Sequence, residues 1–142
     1  NKWDLIEKKK IFSKILEEKI KEKISPFTDV PISFVSVKNK QRLIKSLELA
    51  VKIHKNRLNR ISSRKLNDVI LPIIEKNPPP SFKGKFIKIK FCKQLKAKNP
   101  KFSFFCNFPK YVKEPYRRFL ENKLRENFDF LGVPIQIIFK EK

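Results

Sequence analysis

PYRRFLENKLRENFDFLGVPIQIIFKEK, residues 115–142, decides the fold of this chain, because it predicts a helix, a tight turn and a closing strand. The apolar side chains of its first half recur at three- and four-residue spacing and therefore share one helix face: Tyr116, Phe119, Leu120, Leu124 and Phe128. Gly132 and Pro134 then end the helical pattern. The closing residues alternate with a period of two, with Ile135, Ile137 and Phe139 on one face of a strand. That strand needs pairing partners, which the preceding residues should supply.

The composition predicts a folded, basic protein. The chain has 142 residues, is 40% hydrophobic and carries 35 Lys and Arg against 14 Asp and Glu, a formal charge of +21. A charge of this size favours a polyanionic partner, of which nucleic acid is the usual one. The alternative is compositional drift, because Lys, Ile, Phe and Asn are abundant while Gly and Met are scarce. We expect both to contribute.

Several features bear on the compartment and on the extent of the chain. No methionine is present, so we interpret the chain as the C-terminal part of something longer. No run approaches the roughly 20 apolar residues of a membrane span, and no signal peptide is visible. Cys92 and Cys106 lack metal-ligand spacing and predict buried, reduced thiols. We therefore expect a cytoplasmic protein with no metal site in this chain.

Residues 1–60 predict the trailing end of an α/β unit. A helix is expected over residues 11–24, closed by Pro26, a buried strand over 31–36 and a second helix over 41–58. The two apolar stripes are, in order, Phe12, Ile15, Leu16 and Ile20, then Leu43, Leu47, Val51, His54 and Leu58. Because no acid or nucleophile accompanies His54, we interpret it as a packed or boundary residue.

Residues 61–142 predict a separate α+β domain. Ser62 or Ser63 can cap a helix that contains Pro72 and whose stripe is Leu66, Val69, Ile70, Ile73 and Ile74. Strands are expected over 85–93, with Ile87, Ile89 and Phe91 on one face, and over 102–106, and the basic turn 96–100 separates them. With the closing helix and strand, these elements form a three-stranded sheet with helices on one face. Its other face would bear Lys88, Lys90 and Lys140.

This order of elements, helix-strand-strand-helix-strand, is that of a KH-type RNA-binding domain. Such modules clamp nucleic-acid backbone with a Gly-X-X-Gly loop, which is missing here because only Gly84 and Gly132 occur. We therefore predict phosphate contacts from lysines on the sheet face and the basic turn: Lys88, Lys90, Lys93, Lys96, Lys98, Lys101 and Lys140. The alternative is a solvated face. Phe102, Phe104, Phe105 and Phe108 could stack bases, but at strand spacing they favour a core.

Residues 61–142 resemble the C-terminal KH-like domain of the bacterial tandem-G-domain GTPases called Der or EngA. The resemblance is carried by Ile61-Ser62-Ser63 with Leu66-Asn67, Pro78-Pro79 before Gly84, Lys88-Ile89, and Phe105 with Asn107 and Pro109. It continues through Tyr116, Arg118-Phe119-Leu120-Glu121-Asn122, and the terminal run from Gly132. Residues 1–60 resemble the end of that family's second G domain. The fold class implied is an α/β fragment of a P-loop GTPase domain over 1–60, followed by an α+β KH-like domain over 61–142.

The resemblance gives the opening NKWD a role as the guanine-specificity motif NKxD. An Asp carboxylate can accept from the ring N–H and the exocyclic amine of guanine, a pair that adenine lacks. The resemblance thus implies that Asp4 selects the base, Asn1 braces the loop and contacts the base, and the Lys2 stem covers the ring. Ser36-Val37-Lys38 stands where the family has Ser-Ala-X, whose backbone N–H meets the guanine carbonyl oxygen.

No phosphate-binding loop (GxxxxGK followed by Ser or Thr) and no Mg²⁺-binding residue in context occur in this sequence. We therefore expect no catalytic residue here and no GTP hydrolysis by this chain alone. For the intact protein, the resemblance implies a GTP hydrolase that uses GTP or GDP with Mg²⁺ held elsewhere. It also implies a role in large ribosomal subunit assembly, with rRNA and its own upstream G domains as partners. The alternatives are an RNA-binding or ribosomal protein without nucleotide chemistry, and a module that docks only within its own chain.

Overall fold

The computed structural model describes residues 1–6, 9–25 and 27–141. The chain divides into two compact units. We call Asn1–Asn56 together with Leu131–Val133 the first unit, and Arg57–Phe130 together with Pro134–Lys142 the second unit. The turn predicted at Gly132 is present, with φ of +73°, and belongs to the first unit.

The first unit is built on two helices. A short 3₁₀ turn over Trp3–Leu5 precedes α1 over Lys9–Lys23, and α2 covers Leu43–Leu58. Both predicted helices are therefore present, while Pro26, expected to close the first, lies outside the described residues. The strand predicted over 31–36 is wrong: within the part of the chain that the structure describes, only a single bridge from Ser36 to Gln41 forms. A strand exists only through a ladder of bonds to a neighbour, and no described segment supplies one.

The helix faces of the first unit differ from the predicted ones. Leu47 is 69% exposed, and Val51, His54 and Leu58 are also exposed, so the predicted stripe of α2 is wrong apart from Leu43. The side that packs carries half-buried Leu43, Ser46, Leu49 and Ile53 and buried Asn56. On α1, Leu16 and Ile20 are half-buried, whereas Phe12 and Ile15 are exposed. Because α2 is apolar on two sides, a spacing of 3.6 residues cannot choose between them.

The second unit has the predicted order of elements. It contains α3 over Ser63–Lys76, β1 over Ile89–Leu95, β2 over Lys101–Cys106, α4 over Glu114–Asn127 and β3 over Gln136–Glu141. The sheet order is β1-β2-β3, with β2 antiparallel to β1 and parallel to β3. Ser62 caps α3 by accepting from the Lys65 N–H at 3.3 Å, and the helix continues through Pro72.

Both helices of the second unit contribute to one core on one face of the sheet. The fully or nearly fully buried side chains are Leu66, Ile70 and Ile74 of α3, Tyr116, Leu120 and Leu124 of α4, and Cys92, Phe102, Phe104 and Ile137 of the sheet. Asn67 ties α3 to the edge of β1, since its side chain donates to the Cys92 carbonyl and accepts from the Cys92 N–H, each at 2.8 Å. The predicted stripes of α3 and α4 are thus confirmed.

A β-bulge changes the face of one predicted core residue. The register of β1 against β2 shifts between Ile89 and Phe91, so Cys92 takes the core side and Phe91 turns to the outer face. There the Phe91 ring stacks on Phe105 with centroids 4.3 Å apart. The prediction that Phe91 shares a face with Ile87 and Ile89 is therefore wrong. One extra residue in a strand reverses every alternation that follows it.

Candidate guanine-binding and RNA-binding sites

The opening segment and the residues around Ser36 lie against each other in the first unit. The Asp4 carboxylate accepts from the hydroxyl of Ser36, which is completely buried. The Asn1 side-chain oxygen accepts from the backbone N–H of Lys2 at 2.7 Å and lies 3.4 Å from the Val37 nitrogen, which donates to it. Residues far apart in sequence thus form one small polar cluster, with Asp4 half-buried and Asn1, Lys2 and Val37 exposed.

Trp3 anchors this cluster. Its ring is 5% exposed and packs on Phe34 at a centroid distance of 4.4 Å and on Phe12 at 6.5 Å. Its backbone N–H donates to the Val35 carbonyl at 3.1 Å. Because residue 3 points inward and Lys2 has a left-handed backbone with φ of +58°, the flanking Asn1, Lys2 and Asp4 remain at the surface of the loop. Sequence reasoning gave no role to Trp3, although an aromatic between two polar motif residues is a sign of such an anchor.

A tight turn follows Ser36 and presents Val37 and Lys38. Ser36 and Gln41 exchange backbone hydrogen bonds at 3.3 and 2.9 Å, and the Lys40 N–H donates to the Val37 carbonyl at 3.1 Å. The Ser36 hydroxyl also accepts from the Asn39 N–H at 3.3 Å. Val37 is 58% exposed and Lys38 is exposed, so a bound molecule could reach the backbone of both.

The lysines predicted to contact RNA occupy three places in the second unit. Lys88 precedes β1 and Lys90 lies at the bulge; both are exposed and alternate with buried Ile87 and Ile89, as a lysine-bearing open side requires. Lys93, Lys101 and Lys140 alternate with core residues of their strands and share the outer face with Phe91 and Phe105. Lys96 and Lys98 lie on the bend between β1 and β2 and are exposed. The seven lysines thus lie on the outer side of the sheet and on the bend after β1, and their contacts with RNA stay a prediction.

The outer face also carries aromatic surface that the sequence pattern assigned to the core. The Lys93 ammonium lies 5.3 Å from the centre of the Phe105 ring, which stacks on Phe91. Phe102 and Phe104 are fully buried, as expected of core residues, while Phe105 is half-buried. The bulge in β1 was not visible in the sequence, so Phe91 could not have been placed here.

The two thiols are free and buried. Burial raises the pKa of the Cys92 thiol to about 12. The pKa of Cys106 is also raised, chiefly by burial and further by the charge of Glu141, against a lowering hydrogen bond from the Phe108 backbone. Raised pKa values keep both thiols protonated at neutral pH, so neither is an activated nucleophile.

The described residues contain neither a candidate metal site nor a candidate membrane span. Across residues 1–6, 9–25 and 27–141, no group of three or more His, Cys, Asp or Glu side chains could hold a metal ion. Among the same residues, no helix is both long enough and apolar enough to cross a bilayer.

The arrangement matches a known family. The sequence model of a family described as the KH-domain-like C-terminal domain of EngA bacterial GTPase enzymes matches residues 60–140. The chain belongs to this family. As an EngA-type KH-like chain, it joins a three-stranded mixed sheet to α3 and α4 without a Gly-X-X-Gly loop.

Curated relatives extend the similarity of this EngA-type chain over residues 1–142. It is 58% identical to GTPase Der of Christiangramia forsetii, 56% identical to that of Flavobacterium johnsoniae and 50% identical to that of Porphyromonas gingivalis. Each match covers all of this chain and 32–33% of the relative. The chain thus spans about a third of the length of the curated relatives that it matches.

Proposed function

We propose that this chain is the C-terminal portion of a GTP-hydrolysing protein, in which residues 1–60 complete a guanine-binding G domain and residues 61–142 bind RNA. The observation that carries the proposal is the cluster in which Asp4 and Asn1 meet Ser36 and Val37. The names of the relatives, GTPase Der, support the same activity for the whole protein.

The chemistry of the cluster fits a guanine base. Asp4 supplies a carboxylate held beside Ser36, which can accept the two neighbouring N–H groups of guanine. The backbone N–H of the exposed residue Lys38 suits the carbonyl oxygen of the base, as does that of Val37 once it is released from the Asn1 side chain, and the aliphatic stem of Lys2 suits the face of the base. Asn1 braces the loop through its bonds to Lys2 and Val37. These residues select the base, while phosphate and Mg²⁺ binding belong to other parts of the protein.

Exposed apolar side chains support a larger G domain around the first unit. Ile44, Leu47 and Val51 of α2 are 73%, 69% and 55% exposed, and Ile11 of α1 is 63% exposed. Burying an aliphatic side chain of this kind stabilises a protein by about 1.5–3 kcal/mol, so such a surface is usually covered. We infer that further residues of the G domain, in a protein of the relatives' length, cover these helices.

A guanine-to-xanthine switch tests the nucleotide half of the proposal. In the full-length protein, Asp4→Asn should weaken GDP binding by roughly 10²-fold or more, because the amide now presents a donor to the N–H groups of guanine. Xanthosine diphosphate binding should rise correspondingly, as followed with fluorescent nucleotide analogues. Asp68→Asn, at an exposed Asp of the second unit, is the matched control and should change neither affinity. Unchanged guanine preference in Asp4→Asn would reject the site.

The chain alone should lack the activity. Residues 1–142 contain no phosphate-binding loop, so we expect neither GTP hydrolysis nor tight GTP binding by the purified chain. Phosphate release above the buffer rate would contradict this expectation. In the full-length protein, the same assay should detect turnover that requires Mg²⁺.

The RNA half of the proposal rests on the charge of +21 and the exposed lysines of the second unit. We propose ribosomal RNA of the large subunit as the partner of a cytoplasmic protein, with the upstream G domains as an additional docking partner. RNA affinity should fall steeply with salt, because phosphate contacts release counterions. Reversing Lys88 and Lys90 together to Glu should lower the slope of log affinity against log salt by about 1 per lost contact.

Reversal of Lys45, an exposed lysine of the first unit, is the control for general charge. If Lys45→Glu weakens RNA binding by half as much, in free energy, as the double reversal of Lys88 and Lys90, the lysines act only through net charge. If RNA does not bind at all, the second unit is a docking module for its own protein. RNA binding together with no measurable guanine-nucleotide binding by the full-length protein would instead favour an RNA-binding protein without nucleotide chemistry.

A further inference from the structure

One end of the second unit carries an aromatic cluster surrounded by lysines, which we call the aromatic corner. It is built from Phe82, Phe108 and Tyr111 with Lys83, Lys85, Lys110 and Lys113. Phe82 and Tyr111 have ring centroids 5.1 Å apart, and Phe108 and Tyr111 are 6.1 Å apart. Two tight turns hold them: a hairpin in which Phe82 and Lys85 exchange backbone bonds around Lys83 and Gly84, and a 3₁₀ turn over Pro109–Tyr111.

The lysines of the aromatic corner lie over its rings. The Lys113 ammonium is 5.2 Å from the centre of Phe82, with Lys83 at 5.7 Å, and Lys85 is 5.1 Å from Phe108 and 5.4 Å from Tyr111. Among the residues that the structure describes, none of these lysines has a carboxylate within salt-bridge distance. Phe82, Phe108 and Tyr111 are half-buried, so the corner offers part of each ring together with positive charge, a combination that suits planar groups linked to anions.

A small cavity opens in the aromatic corner. It has a volume of about 210 Å³ and is lined by Lys85, Asn107, Phe108, Pro109, Lys110, Tyr111 and Glu141. Typical small-molecule sites occupy roughly 300–1,000 Å³, so this cavity is small for a complete nucleotide cofactor. A single planar ring at the edge of a longer ligand is the better match. Glu141 adds an acceptor at its border, as suits a ligand whose rings also carry N–H donors.

Phe86, beside the aromatic corner, is 81% exposed. Its backbone is fixed, because the Asn107 amide donates to the Phe86 carbonyl and the Asn107 oxygen accepts from the Lys88 N–H, both at 2.9 Å. A large aromatic side chain is thus held outward on a rigid support. Burying this side chain would be favourable by about 1.5–3 kcal/mol, which indicates a partner surface.

The aromatic corner is distinct from the basic turn. Ile89, Cys106 and Glu141 are neighbours at one end of the sheet, next to the corner, while Leu95, Lys101 and Gln136 are neighbours at the other end, next to Lys96 and Lys98. Strands of this length separate the two ends by roughly 20 Å. A ligand that touches both must extend over roughly that distance, and the lysines at both ends suit one that carries anionic groups along its length.

We infer that the rings of the aromatic corner and Phe86 bind unpaired nucleobases of a single-stranded RNA segment. The lysines of the aromatic corner then contact the flanking phosphates of that segment. The inference rests on the proposed RNA function and specifies the ligand as single-stranded RNA whose bases stack on these rings. Duplex RNA keeps its bases stacked inside and would leave these rings unused, whereas splayed bases cover them. An acidic peptide would use the lysines but not the row of rings.

Oligonucleotides with and without bases test the inference on the 142-residue chain. Binding of a fluorescein-labelled twelve-nucleotide oligoadenylate is compared by anisotropy with an abasic oligomer of the same length. Phe86→Ala should weaken oligoadenylate binding about 5-fold or more and leave the abasic affinity and the salt slope unchanged. Because Phe86 is exposed, this variant should fold. Phe86→Trp should keep or raise the affinity, since it retains a stacking surface.

Lys98→Gln, at the opposite end of the sheet, is the matched control for charge. It should weaken both oligomers alike and reduce the salt slope. Equal affinities for the two oligomers, with no effect of Phe86→Ala, would overturn the inference while leaving the proposed RNA function in place. Binding of neither oligomer would reject both. Tighter binding of oligoglutamate than of oligoadenylate would assign the corner to an acidic peptide.

Discussion

The first and second units both contain helices with apolar side chains at helical spacing, but among the described residues only the second unit buries those side chains well. Ile70 of α3 is fully buried, whereas Leu47 of α2 is 69% exposed. Within the described residues, the buried hydrophobic side chains of the first unit are Trp3 and Val133, and the remaining sixteen lie in the second unit. The difference shows that an apolar stripe predicts that a helix packs against other residues, but it does not identify those residues.

The function proposed for each unit follows this difference. The second unit has a self-sufficient core and can present loops and lysines from a rigid frame. The first unit holds its polar cluster around Ser36 on one anchor, Trp3, and leaves several large apolar side chains exposed. We therefore expect the second unit to determine the stability of this chain.

Removing a central ring of the second unit should have the largest effect. Phe104 is fully buried on the middle strand, and Phe104→Ala should lower the free energy of unfolding of the second unit by about 3–5 kcal/mol, because it leaves a cavity. Urea unfolding followed by far-UV circular dichroism measures the change. Phe86→Ala removes the same atoms at an 81% exposed position and should stay within about 0.5 kcal/mol. Similar losses in the two variants would refute the assignment of the core.

Alkaline pH should destabilise the second unit through its buried thiol. The pKa of Cys92 rises from 9.0 to about 12 on folding, so the folded state holds the proton more tightly than the unfolded state. The stabilisation is complete below pH 9 and is lost between about pH 9 and 12, at up to about 1.4 kcal/mol per pH unit. Cys92→Ala should be less stable at pH 8 but should show a shallower decline above pH 9. An unchanged slope in urea titrations at pH 8 to 11 would contradict burial of this thiol.

A methyl group at Gly132 should loosen the first unit. A Cβ there would lie 2.9 Å from Ile53 Cγ1 and 3.1 Å from Pro31 Cδ, on a backbone with φ of +73°. Gly132→Ala should therefore destabilise the packing of α2 by roughly 2 kcal/mol, the backbone term being about 1–2 kcal/mol of it. Hydrogen exchange of α2 amides around Ile53 should speed up by about 10-fold or more.

Gly84→Ala isolates the backbone part of that effect. Gly84 has nearly the same φ, +72°, but a Cβ added there would meet nothing within 4 Å, so only the conformational penalty remains. Its effect should be smaller and confined to the hairpin of the second unit. Equal effects at the two glycines would mean that the close approach of Gly132 to Ile53 contributes nothing.

The sequence predicted the second unit well because each of its signals is local. The spacing of Tyr116, Leu120 and Leu124, the cap at Ser62 and the alternation after Pro134 each act within a few residues. The bulge before Phe91 escaped prediction because it depends on the register between two strands.

The first unit was predicted less well because its structure depends on partners. The pattern of α2 fits two faces, and the apolar run 31–36 needs a neighbouring strand that the described residues do not offer. In the candidate site, the sequence predicted that residues 1–4 and 36–38 belong together, and Asp4 does contact Ser36. The anchoring of this site by Trp3 depends on packing against Phe34, which the sequence does not show. The roles of Asn1, Asp4 and Ser36 toward guanine stay predictions.

The smallest expected effect, that of Leu47→Gln, tests whether the exposed side of α2 is covered in the full-length protein or faces solvent there as well. In the 142-residue chain, Leu47→Gln should change the stability of the first unit by less than about 0.5 kcal/mol, because the side chain is 69% exposed and Gln is also a good helix former. Ile53→Gln, at a half-buried position of the same helix, should destabilise that unit clearly. In the full-length protein, Leu47→Gln should become as harmful as Ile53→Gln, since further residues of the G domain would then bury it. A neutral Leu47→Gln in both lengths would mean that α2 faces solvent in the whole protein, and the first unit could not then be the end of a larger packed domain.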